Sequence, residues 1–229
     1  MGLSSVSALA DDVCDPEKDE WLLLSVSPYQ KQGKFLKGPS LLIMPCWKPL
    51  INVGINLFKK NNSFSVSGRA GGHGHDAKYK ITKISKNKIK VQGHLGGYGH
   101  DANYTITRSG NTVQVNGQAG GYGFESSYKI KMITEQSIEV KGFMGGYGND
   151  VNLLIKPRGR VLSIIGEAGG YGAMAKYSIS NQGTSKVQVK GFMGGYGDHA
   201  AYNMSSSGSS ININGNGGGI GEPINMTFK

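Results

Sequence analysis

The chain has 229 residues, 37 of them glycine, with 17 per cent charged residues and a net charge of +10. That composition is not an ordinary globular one, and tyrosines held at fixed repeat positions exclude a disordered glycine/tyrosine-rich chain. No stretch approaches the roughly 18 consecutive apolar residues of a transmembrane helix, which leaves open a barrel of strands.

Residues 1–12 hold Ala8-Leu9-Ala10 followed by Asp11-Asp12, similar to the small-residue end of a secretory signal but with no apolar core before it. The expectation is a trimmed signal remnant or a disordered start. Residues 13–61 are irregular. Trp21-Leu22-Leu23-Leu24-Ser25-Val26 and Leu41-Leu42-Ile43-Met44 are short apolar runs bounded by Pro28, Gly38-Pro39 and Pro45. They read as short strands, and residues 51–58 alternate well enough to feed a sheet. Cys14 and Cys46 stand in this segment. A disulfide between them would staple it and suit an oxidising compartment, the alternative being two unpaired thiols.

From residue 62 to 229 one phrase recurs, Gly-x-x-Gly-Gly-(Tyr)-Gly. Its first glycines stand at 68, 93, 117, 142, 166, 191 and 215, alternately 25 and 24 apart. A fixed period of this length means a repeat architecture. Around Gly145-Gly146 the apolar and small residues are even-numbered before (Ile138, Val140, Gly142, Met144) and odd-numbered after (Tyr147, Val151, Leu153, Ile155). Each half is a half-buried strand, and the flip of phase is what a hairpin produces. A two-residue Gly-Gly turn of a primed type predicts Met144 opposite Tyr147, Gly142 opposite Asn149 and Val140 opposite Val151. At the other end Ile106 and Val113 fit a Ser109-Gly110 turn. The repeats that are one residue longer, as from Ile130 to Ile138, call for a bulge or a three-residue loop. Seven tandem hairpins give an all-β, up-and-down antiparallel meander of fourteen strands. It should close as a flattened barrel or sandwich, with residues 13–60 as a candidate plug. The residue before Gly-Gly alternates small and large (Ala70, Leu95, Ala119, Met144, Ala168, Met193, then Gly217), so the true unit is 49 residues. Such alternation fills a tapering interior or marks hairpins in two environments.

Chemistry is sparse. Gly-Gly-x-Gly-x-Asp at 71–76, 96–101 and 145–150 resembles the calcium-binding nonapeptide of parallel β-roll toxins. Here, however, the copies are not tandem, and the aligned positions elsewhere are Glu125, Met174 and His199. The Gly-x-Gly pieces have strands on both sides, so they make no nucleotide loop. His73, His75, His94, His100 and His199 gather near the tips at non-equivalent positions, and no Ser-His-Asp or paired-carboxylate set repeats. The expectation is a non-catalytic protein with no cofactor and no metal. Lys88, Lys90, Lys129, Lys131, Lys141, Lys176, Lys186 and Lys190 belong on the polar face or at the turn end away from the tips. They protect strands from aggregation or face an anionic partner. Without aromatic–basic interleaving no nucleic acid is expected.

The tips are therefore the candidate binding row: Tyr98, Tyr122, Tyr147, Tyr171 and Tyr196, with Leu95, Met144 and Met193 beside them on alternate tips. Those tyrosines could equally cap the apolar layer over their glycines. The reading is a secreted, periplasmic or outer-membrane-associated structural or binding protein. Its row of tips would meet an envelope polysaccharide, a lipid surface or a protein, and self-association through sheet edges is open to it. The alternative is an outer-membrane-type barrel or pore.

Overall fold

The computed structural model describes residues 20–25, 31–32, 35–36, 41–50, 53–58 and 61–229, apart from 147, 171, 184, 196–197 and 219–221. Five short strands come first: β1 (Trp21–Ser25), β2 (Lys31–Gln32), β3 (Phe35–Leu36), β4 (Leu41–Pro45) and β5 (Ile55–Leu57), with a 3-10 turn at Lys48–Leu50. Fourteen strands follow. They are β6 (Ser63–Gly72), β7 (Ala77–Ser85), β8 (Lys88–His94), β9 (His100–Ser109), β10 (Thr112–Gly121), β11 (Ser126–Thr134) and β12 (Ser137–Phe143). Then come β13 (Asn149–Arg158), β14 (Val161–Gly170), β15 (Ala175–Asn181), β16 (Lys186–Phe192), β17 (Ala200–Ser207), β18 (Ser210–Asn216) and β19 (Glu222–Phe228). Each pairs antiparallel with its neighbours in sequence, and β19 pairs with β6 to close the barrel. Closure leaves these fourteen strands no free edge.

The alternation has one sense all the way round. Ile81, Ile89, Val91, Val113, Val115, Ile130 and their equivalents are buried inside, while Lys78, Lys80, Lys129, Lys131, Lys141 and Lys176 are exposed outside. Fourteen strands tilted as barrel strands are enclose a lumen roughly 25–30 Å across, too wide for wall side chains alone to fill. A small sheet fills it. Strands β4, β1 and β5 pair in that order, and Leu22 and Leu23, which point to opposite faces of β1, are at most 2 per cent exposed. The Trp21 indole nitrogen donates to the Lys86 carbonyl on the β7–β8 turn, the 3-10 turn touches β13, and β5 touches β17. Those contacts lie far apart around the wall, so the sheet sits within the barrel. Its Trp21, Leu23, Leu24, Met44 and Leu57 share one apolar cluster with the wall. Phe58, after β5, has the one positive φ outside glycine among the described residues, +66°, and its ring lies 5.7 Å from that of Phe64 on β6. Cys46 is buried and disulfide-bonded, while Cys14 and residues 1–19 lie outside the described residues.

The expected register is corrected at both ends. Gly142 pairs with Val151 and Val140 with Leu153, two residues beyond the expected partners, so Gly145-Gly146 lies within a wider loop. At the other end Ser109 pairs with Thr112 and Ile106 with Val115, making Gly110-Asn111 the two-residue turn in place of Ser109-Gly110. Gly110 has φ +53°, and Gly159 and Gly208 repeat that geometry at +57° and +59°, while Asn111, Arg160 and Ser209 after them keep negative φ, the pattern of a type II′ turn with glycine at its first position. The expected bulge of the longer repeats is present, at Met132/Thr134 and at Lys83/Ser85.

Candidate functional site at the Gly-Gly rim

The hairpin tips are of two kinds, which explains the 49-residue unit. At 68, 117 and 166 the strand runs on through Gly-Gly, pairing Gly72 with Glu222, Gly121 with His100 and Gly170 with Asn149. These copies carry Ala70, Ala119 and Ala168. At 93, 142 and 191 the strand stops one residue after the first glycine and the chain turns; these carry Leu95, Met144 and Met193. Each tip of the first kind is then tied to the next one. Phe124 N–H donates to the Gly146 carbonyl at 3.0 Å and Gly146 N–H to the Phe124 carbonyl at 2.8 Å. His75 with Gly97 and Ala173 with Gly195 do the same. The crossing is tight: a Cβ on Gly123 would stand 2.4 Å from the carbonyl carbon of Gly146. The buried Ser126 hydroxyl adds a hydrogen bond to the Met144 carbonyl, 2.7 Å.

The rim presents apolar and aromatic side chains. Phe124 is 70 per cent exposed, Met174 58 per cent, and Tyr98 and Tyr122 about 40 per cent. The tyrosine rings stand edge-on to histidines, Tyr98 to His75 at 5.8 Å and Tyr122 to His100 at 5.4 Å. Of the expected row, Tyr98 and Tyr122 are thus at the surface, and Tyr147, Tyr171 and Tyr196 lie outside the described residues. Met144 and Met193 are buried and Leu95 is half-buried, so these three serve the interior. Phe124 and Met174 escaped the sequence reading because they occupy the variable positions just after each motif's last glycine.

Polar contacts brace the tips. Arg69 bridges Asp76 at 3.1 Å and donates to the Gly74 carbonyl at 2.6 Å. His94 Nδ1 faces Asp101 at 3.2 Å, with its Nε2 3.3 Å from the Gly97 carbonyl. Among the described residues no three His, Cys, Asp or Glu side chains converge as a metal site would require. A cleft of about 50 Å³ between Asn149, Glu167, Ala173 and Met174 has room for little more than a water or two.

A second set of tyrosines, not foreseen, lies one layer below the tips and points inward. Tyr79, Tyr104, Tyr128, Tyr177 and Tyr202 pair across the sheet with Gly93, Gly117, Gly142, Gly191 and Gly215. Leu153 opposite Gly166 and Met226 opposite Gly68 complete the ring of seven. A large side chain on one strand and none on the next fills a curved wall without crowding. Burial pushes the phenols of all five far above their ordinary range. The capping of glycine by tyrosine that the sequence suggested for the tips is carried by this layer. Its signature was legible as a tyrosine five residues after each motif's last glycine, in five of seven copies. No family model, curated protein or solved structure matches this chain.

Proposed function

We propose that the protein is a non-catalytic, water-exposed binding barrel of a secreted or cell-envelope setting, and that its Gly-Gly rim docks on an extended surface. The observation that carries this reading is the rim itself. Among the described residues, four of the eight exposed large hydrophobic side chains (Tyr98, Tyr122, Phe124 and Met174) stand there, while the outer wall is mainly Lys, Ser, Thr, Asn and Gln. Phe124 and Met174 have no hydroxyl with which to meet a sugar, and the net charge of +10 favours an anionic neighbour. A lipid surface with anionic head groups therefore fits better than an envelope polysaccharide. Tips two strands apart, about 9.6 Å, would add weak contacts into a strong one.

A membrane-spanning barrel is the second reading, and closure of the fourteen strands supports it. Such barrels turn apolar residues toward lipid and polar ones inward. Here the alternation runs the other way and the lumen is filled, which favours the first reading. The test is purification without detergent followed by flotation with vesicles. Monodisperse protein that floats only with anionic vesicles supports rim docking, whereas protein that requires detergent to stay monodisperse overturns it in favour of the spanning barrel.

A further inference from the structure

All five histidines of the chain stand on the Gly-Gly rim. His73 and His75 belong to the β6–β7 tip, His94 and His100 to the β8–β9 tip, and His199 to the β16–β17 tip. His94 is half-buried and the other four are exposed. Two of them touch the docking tyrosines, His75 edge-on to Tyr98 and His100 edge-on to Tyr122. The His199 ring lies 5.9 Å from that of Phe192.

The charges around these imidazoles are mixed. His94 faces Asp101 of β9 at 3.2 Å and pairs across the sheet with Lys78 of β7. Its ring centroid is 5.9 Å from that of His75, whose own tip carries the Arg69–Asp76 bridge. Gly72, beside His73, pairs with Glu222 of β19. His100 pairs with Gly121 of β10, and the tip after that strand carries Glu125. His199 follows Asp198, and the Phe192 beside it pairs with Lys176 of β15. Asp150 and Glu167 stand on two further tips. While the imidazoles are neutral, the exposed carboxylates Asp76, Asp101, Glu125, Asp150, Glu167 and Asp198 therefore outnumber Arg69, Lys78 and Lys176. Such a rim is held off an anionic surface. Histidine changes its charge between about pH 5 and 8, where carboxylates stay ionised. Mild acid thus adds positive charge at five places on the rim and reverses the local excess.

We propose that the five rim histidines make docking pH-dependent, so that the rim holds anionic lipid tightly in mild acid and weakly at neutral pH. This regulation rests on the rim-docking reading. The test is flotation of the whole protein with phosphatidylcholine/phosphatidylglycerol vesicles at about pH 7.5 and about pH 5.5, a range over which the lipid phosphates keep their charge. The native chain should bind at least about tenfold tighter at the lower value. The variant H73Q/H75Q/H94Q/H100Q/H199Q should keep the melting temperature and bind at both values as the native chain does at the higher one. Vesicles of phosphatidylcholine alone should show no pH response. A response retained by the variant, or equally large on phosphatidylcholine alone, overturns the proposal, since the carboxylates or a change of fold would then carry it. Equal flotation of the native chain at both values overturns it and leaves rim docking standing. No flotation at either value overturns the docking reading and this proposal with it. If the fivefold variant does not fold, H75Q/H100Q decides: a smaller pH response supports the proposal and an unchanged one overturns it.

Discussion

Gly142 and Tyr128 face each other across β11 and β12 so closely that a Cβ on Gly142 would lie 2.7 Å from the Tyr128 Cα, at a φ of +125°. Only glycine adopts that backbone without strain. Gly142→Ala should cost about 3 kcal/mol from strain and clash together. Gly110, with φ +53° and nothing within 4 Å of an added Cβ, should accept Asn for about 1 kcal/mol, the backbone strain alone without a clash. Urea unfolding of the two variants checks the contrast. Equal costs would mean that the close pairing of the tyrosine layer is not what demands glycine.

The plug should be as necessary as the wall. Leu23 is fully buried at the centre of β1, and Leu23→Ala should cost about 3–4 kcal/mol through the cavity it leaves. The expected readout is one cooperative transition shifted to lower urea for the whole barrel. Two separate transitions would show that the small sheet and the barrel do not share a core.

The buried phenols set a limit at alkaline pH. Tyr104 and Tyr128 are held protonated by burial, whereas unfolded tyrosines release their protons near pH 10. Above about pH 10 the native state therefore binds more protons than the unfolded chain, and stability falls as pH rises. Below it the phenols impose no pH dependence. Phenolate absorbance of these residues should appear together with loss of near-ultraviolet dichroism. Their ionisation in the folded barrel would contradict the burial.

Cys46 is buried in the plug, and its expected partner is Cys14. Mass measurement without reductant should find the chain two hydrogens lighter than the fully reduced chain. Two free thiols would remove the staple.

The sequence carried the topology and not the register, for a physical reason. Period-2 alternation fixes which face each residue takes, so the phase flip at Gly145-Gly146 specified a hairpin and, repeated, fourteen strands. It is blind to a shift of two, because Val140 opposite Val151 and Val140 opposite Leu153 place the same side chains on the same faces. Choosing between them required the backbone pairing of neighbouring tips, Phe124 with Gly146, a contact between different repeats. The same tips drew attention to Tyr98 and Tyr122 and away from the inward Tyr104 and Tyr128. Both sets follow the motif, and only burial separates them. The alternation of Ala119 with Met144 was visible, but its cause was the coupling of tips in pairs.

The coupling itself can be tested at Gly123, where a Cβ would meet Gly146 backbone at 2.4 Å. Gly123→Ala should speed hydrogen exchange at the Phe124 and Gly146 amides at least tenfold, while β-strand amides of the opposite wall keep their protection. Unchanged exchange at those two amides would show that the tips are not tied through this crossing.

The most direct test of the docking account is flotation of the rim variant Y98S/Y122S/F124S/M174S with vesicles of phosphatidylcholine and phosphatidylglycerol, beside the native chain. All four side chains are exposed, so the barrel should melt within a few degrees of the native one. The account predicts that the native chain floats with these vesicles and that the variant loses at least tenfold in affinity. Equal flotation of the two, with both folded, would contradict it.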